Sequence, residues 1–335
     1  MATLIRDTLL RDPAKEGLVN NGQARITNEL ADERVLTELR GELSTFVCDG
    51  QYGEGIIKIL SSYLANRSQT NQKAAWVSGF FGSGKSHLLK MLAHFWVDTE
   101  LPDGATARSL VPELPEEVRD LLRELDVAGK RSGGLLAAAG TLPAGTTENV
   151  RLSVLSILLR ACGLPVQYPQ AQFHLWLEER GLLSKVRGAV EAAGKTWTQE
   201  LNNLYVSPLI AKALRAADAE FSTSDAAAKE LLKAQFPLRT SDLSTDEFLY
   251  ACKRVLRRAG TDGQIPCTLL ILDETQQYIG DSETRSVLIT EIAEAVCKTL
   301  DSQVMLVAAG QSALTGVKLL HKLLDRFTIR KAGLE

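Results

Sequence analysis

The run Gly79-Phe80-Phe81-Gly82-Ser83-Gly84-Lys85-Ser86 constrains this chain more than any other feature. It satisfies the spacing G-x-x-x-x-G-K-[ST] at every fixed position. A short apolar run, Ala74-Ala75-Trp76-Val77-Ser78, precedes it, and Leu88, Leu89, Leu92 and Phe95 follow at helical spacing. A buried strand, a glycine loop and a helix are therefore expected in immediate succession. Glycines let the backbone turn tightly and present N–H groups inward, and the helix start adds positive partial charge. Such a concavity holds phosphate groups. Lys85 is expected to reach the β- and γ-phosphates of a nucleoside triphosphate, and the Ser86 hydroxyl to ligate Mg²⁺. For His87, next in the chain, two readings stand open: contact with phosphate or substrate, or an ordinary helical histidine.

A second element completes the chemistry that such a loop needs. Leu269-Leu270-Ile271-Leu272-Asp273-Glu274 reads as an apolar strand ending in two carboxylates. Asp273 is expected to hold Mg²⁺, directly or through water, and Glu274 to polarise an attacking water as general base. The end of a strand places both in the crevice where α/β sheets bind ligands. The next strand, residues 304–309, runs into Gly310-Gln311-Ser312. Gln311 is a candidate for orienting the lytic water; the competing reading is a turn in which Ser312 caps a helix. In Leu323-Leu324-Asp325-Arg326-Phe327, Arg326 is a candidate for stabilising transition-state charge on a neighbouring subunit's nucleotide. Arg330 is the second choice, and a surface arginine paired with an acid is the alternative. The chain's four histidines show no metal-binding spacing.

Strand patterns alternate with helical ones, which points to an α/β fold with a parallel sheet covered on both faces. Residues 1–70 read as mostly helical, and 71–162 as the half of the core that carries the glycine loop. Residues 163–262 show no clear strand and read as a long α-helical insertion. Residues 263–335 carry the acidic strand, the polar-tipped strand and the start of a fifth. That last strand looks cut off, so a truncated chain is expected.

The 335 residues carry a formal net charge of −3, so overall charge gives no argument for nucleic-acid binding. Five cysteines, odd in number and without a CxxC pair, argue against a disulfide framework or zinc knuckle and favour a reducing cytoplasm. No signal-peptide pattern opens the chain, and no apolar run of about 18 residues suggests a membrane span.

Taken together, these motifs resemble the AAA+ and related additional-strand (ASCE) P-loop ATPases: loop strand, intervening strand, acidic strand, polar-tipped strand and an arginine-phenylalanine box follow in that order. No N-K-x-D motif is present, so ATP is expected rather than GTP. More narrowly, residues 77–92, Leu272-Asp273-Glu274-Thr275-Gln276-Gln277, Gly310-Gln311 and Asp325-Arg326-Phe327 resemble the BrxC/PglY family of bacterial BREX phage-defence ATPases. That resemblance implies the N-terminal ATPase portion of a larger protein, with a lid and a second-sensor arginine beyond Glu335. It also implies a homo-oligomer with Arg326 acting in trans, and other BREX proteins, a DNA methyltransferase among them, as partners.

Three functional readings follow from the sequence. One is an ATP-hydrolysing switch or motor in a DNA-linked complex. Another is a nucleotide-stabilised scaffold whose insertion docks a partner. A third, direct DNA binding, rests on Lys253-Arg254 and Arg257-Arg258, for which a solvated helix face is the competing explanation.

Overall fold

The computed structural model describes residues 32–67, 69, 72–80, 82–142, 149–239, 241–311, 323 and 326–331. Two helices come first, α1 (Glu33–Thr45) and α2 (Gly50–Asn66), each opened by an aspartate cap, Asp32 and Asp49. Strand β1 (Ala74–Ser78) leads through the glycine loop into α3 (Lys85–Val97). A short α4 (Ala107–Leu110), α5 (Glu116–Lys130), β2 (Leu135–Thr141) and α6 (Val150–Ala161) follow. Six helices come next: α7 (Tyr168–Glu179), α8 (Leu183–Ala192), α9 (Trp197–Asn202), α10 (Pro208–Ala217), α11 (Asp225–Gln235) and α12 (Thr245–Ala259). The described chain closes with β3 (Cys267–Asp273), α13 (Thr275–Ile279), α14 (Glu283–Thr299), β4 (Val304–Gly310) and β5 (Phe327–Lys331). Residues 317–324 also read as helical in the sequence; they lie outside the described residues except for Leu323, as does the stretch before Asp32.

The five strands form one all-parallel sheet in the order β2-β3-β4-β1-β5. Side chains alternate between its faces, as the two-residue strand period requires. Ala74, Trp76, Leu270, Leu272, Val304, Leu306 and Ala308 pack with α6, α12, α13 and α14. Ala75, Val77, Leu269, Ile271, Met305, Val307 and Ala309 pack with α1, α2, α3 and α5 on the other side. Every residue of β1, β3 and β4 is buried, which is why these strands read in sequence as continuous apolar runs rather than alternating ones.

The helical stretch 163–262 divides into two parts. Helices α7 to α11 enclose a small core of their own, including Phe173, Trp197, Ile210, Leu214, Leu232 and Phe236. Helix α12 belongs to the sheet: Phe248, Cys252, Val255 and Leu256 are buried in the layer that covers it. Its start is fixed by a reciprocal Ser244–Glu247 capping box. Two of the four basic residues on α12 are spent on α7. Arg254 pairs with Glu179 at 2.7 Å, and Arg258 pairs with Glu178 at 2.6 Å. No helix among the described residues is long and apolar enough to cross a membrane.

Candidate functional site

The parallel order β3-β4-β1 brings the carboxyl ends of three chain-distant strands to one edge of the sheet. The glycine loop leaves β1 there, Asp273 ends β3, and Gly310 ends β4. The register pairs Ser78 with Gly310, and Gly79 N–H donates to Gly310 O at 3.3 Å. The loop is thereby tied to the tip of β4.

Within the loop, Gly82 and Gly84 adopt φ values of +79° and +76°, a conformation that favours glycine. Ser83 N–H donates to Phe80 O at 3.1 Å, and Leu88 N–H donates to Gly84 O at 2.8 Å, starting α3. Lys85 Nζ donates to the carbonyls of Gly79 at 2.6 Å and Phe80 at 2.8 Å. Burial lowers the pKa of its ammonium below the ordinary lysine range, and the carboxylate of Asp273 opposes that shift. The lysine and the aspartate, predicted separately from sequence, thus act on one another. Ser86 sits half-buried in the first turn of α3. The Ser83 hydroxyl oxygen is buried with no hydrogen-bond partner among the described residues. Phe80 is largely exposed, and Phe81 lies outside the described residues.

His87 stands apart from this arrangement. Its ring centroid is 5.5 Å from that of Phe46, and burial lowers its pKa, with Glu42 opposing and Lys90 adding to the shift. The ring therefore lies on the side of α3 that faces α1.

Asp273 is buried and in register with Thr141 at the end of β2; its Oδ1 accepts from Glu274 N–H at 2.8 Å. Glu274 is exposed and left-handed, φ +54°, at the start of α13. For a residue with a Cβ this backbone is strained by about 1–2 kcal/mol. The turn is held from both sides. Thr275 Oγ1 donates to Leu272 O at 2.8 Å, and Tyr278 N–H donates to Glu274 O at 3.1 Å.

Gln311 follows β4 directly and is exposed; Ser312 lies outside the described residues. A second glutamine reaches the same place. Gln276 Oε1 lies 2.9 Å from where a Cβ on Gly310 would stand. Gln276 stands in the acidic motif, two residues after Glu274, but nothing in the sequence gives it a role of its own. Nor does anything mark Tyr52, whose hydroxyl touches the loop from α2. No periodicity or spacing marks that contact, because 31 residues separate Tyr52 from Ser83.

Arg326 is not at this edge. It immediately precedes β5, whose Phe327 is in register with Ala74 at the start of β1, so it lies at the opposite end of the sheet. A five-residue strand rising about 3.3 Å per residue separates it from the loop by roughly 16 Å. Its guanidinium pairs with Glu294 of α14 at 3.1 Å, and Lys298 pairs with the same carboxylate. Hydrogen bonding to Lys298 and the charge of Arg326 hold Glu294 below the ordinary carboxylate range. Arg330 lies on β5.

Among the described residues no three His, Cys, Asp or Glu side chains gather closely enough to hold a metal by themselves. A hard divalent cation at Asp273 would therefore draw most of its ligands from elsewhere, as Mg²⁺ does when it shares phosphate oxygens. No protein-family model matches the chain, and no solved structure matches it.

Proposed function

We propose that this chain is a P-loop ATPase of the additional-strand (AAA+/ASCE) type, binding ATP with Mg²⁺ at the carboxyl edge of its sheet. The observation that carries this reading is the convergence of the glycine loop, Asp273-Glu274 and the tip of β4, with β4 lying between β1 and β3. Loop amides and the start of α3 bind the phosphates, and Lys85 exchanges its two carbonyl partners for phosphate oxygens. Ser86 and Asp273 would hold Mg²⁺, which when bound would supply neutralisation of phosphate charge. Asp273, oriented by the Glu274 N–H, keeps its place while the exposed Glu274 accepts a proton from the attacking water. Gln311 and Gln276 are the polar groups beside that water. Arg326 serves a neighbouring copy only after leaving Glu294.

The biological setting rests on the resemblance to BrxC/PglY: a cytoplasmic ATP-driven component of a BREX defence complex, with a methyltransferase among its partners. The separate core of α7 to α11 favours a second reading, a nucleotide-stabilised scaffold that docks a partner there. Phosphate release measured against protein concentration tells the two apart. The ATPase reading expects turnover that rises with concentration, Glu274→Gln that retains ATP without hydrolysing it, and Lys85→Ala that loses binding. Tight ATP binding with no turnover at any concentration supports the scaffold, and Lys85→Ala with intact binding and turnover removes both readings.

A further inference from the structure

A backbone loop that turns its N–H groups toward phosphate must turn carbonyls the other way, and those need donors. Among the loop's described residues, three acceptors are supplied locally. Gly79 and Phe80 O take Lys85 Nζ, and Gly84 O takes Leu88 N–H. Ser83 O is different: its donor is the phenolic hydroxyl of Tyr52, at 2.7 Å, from the first turn of α2.

The peptide unit between Ser83 and Gly84 is planar and trans, so its C=O and N–H point in opposite directions. Holding the Ser83 carbonyl outward therefore holds the Gly84 N–H inward. Glycine is the residue at which such a unit turns over most easily, because no Cβ resists the change in φ. Gly84 also has no room for anything larger. A Cβ there would stand 1.9 Å from Tyr52 Oη and 3.1 Å from Cζ. Tyr52 is itself held: its N–H donates to Asp49 O at 3.2 Å, and its ring meets Phe46 edge-on at 6.2 Å. Burial raises its hydroxyl pKa, so it stays a donor at neutral pH.

We infer that Tyr52 is a positioning residue for nucleotide binding: its hydroxyl pins the Ser83–Gly84 peptide so that the Gly84 amide faces the phosphates. This rests on the reading of the loop as a phosphate cradle. The test compares Tyr52→Phe with the parent protein by equilibrium binding of ADP and of ATP, hydrogen exchange at Gly84 without nucleotide, and urea unfolding. The loss of one neutral hydrogen bond is expected to weaken both nucleotides about three- to tenfold and to speed Gly84 exchange. The unfolding midpoint should fall by no more than that one hydrogen bond accounts for, since phenylalanine keeps the contact with Phe46. A residue that serves the fold alone would lower the midpoint and leave affinity unchanged, and that result overturns the inference. So does Tyr52→Phe with both affinities and Gly84 exchange at parent values while Lys85→Ala abolishes binding; the cradle reading then stands alone. If the parent binds neither nucleotide, the cradle reading falls and takes this inference with it.

Discussion

Replacing Gly310 by alanine should destabilise the protein and loosen the glycine loop in one step. A Cβ at residue 310 would stand 2.2 Å from Trp76 Cζ2 and 3.0 Å from Cε2. Carbon atoms pack at about 3.5–4.0 Å, so roughly 1.3–1.8 Å of overlap must be absorbed. Gly310 does not have a positive φ, so alanine meets no backbone objection and the effect isolates the steric clash. Trp76 cannot yield cheaply: it is fully buried and packs edge-on against Phe327, with ring centroids 5.9 Å apart. Overpacking of this kind costs about 1–3 kcal/mol. For a slope of about 2–3 kcal/mol per molar, that lowers the urea midpoint by roughly 0.3–1.5 M. Because Gly79 N–H is bonded to Gly310 O, parting β4 from β1 should also weaken ATP binding. Trp76→Phe removes the ring atoms that clash, so in a double-mutant cycle it should recover about 1 kcal/mol or more of the Gly310→Ala loss. If Gly310→Ala stays within about 0.5 kcal/mol of the parent, the claim that the indole fixes this position is wrong.

Two further outcomes follow from the helix behind the loop. Lys90 and Glu42, each 4% exposed, form an ion pair at 2.5 Å that ties α3 to α1; Lys90→Met should cost about 3–5 kcal/mol in urea unfolding, and adding Glu42→Leu should restore most of it. A loss under about 1 kcal/mol for the single variant would refute the pairing. His94, bonded to Thr99 at 2.9 Å, is pushed down to about 4, first by burial and then by the charge of Lys90. Its protonated form is therefore favoured in the unfolded chain, so stability is complete above the ordinary histidine value of 6.5 and falls as pH drops toward 4. The histidine's share is on the order of 3 kcal/mol, and His94→Asn should flatten that part of the pH profile. An unchanged slope between pH 6.5 and 4 would contradict the assignment.

Much of the architecture was legible because it is local. A strand buried on both faces announces itself as an unbroken apolar run, so β1, β3 and β4 were found within a residue or two of their ends. The glycine loop was legible because its conformation needs particular residues at particular spacings. The helical character of 163–262 was legible too, but its division was not. Whether an amphipathic helix covers the sheet, as α12 does, closes a separate core, as α8 to α11 do, or serves both, as α7 does, depends on which apolar face it meets.

What the sequence determined by itself was the inventory: a glycine loop, an acidic strand end, a polar strand tip and an arginine before a last strand. Each is a short-range pattern, set by backbone conformation or side-chain periodicity over a few residues. Tertiary structure decided which members of that inventory share a site. Parallel pairing put Asp273 and Gly310 beside the loop and Arg326 at the other end of the sheet, against Glu294. Helix packing turned His87 toward Phe46 and brought Tyr52 and Gln276 to the loop and the β4 tip. These juxtapositions join residues tens to hundreds of positions apart. They exist only once the strands have paired and the helices have packed, so no local pattern in the chain could record them.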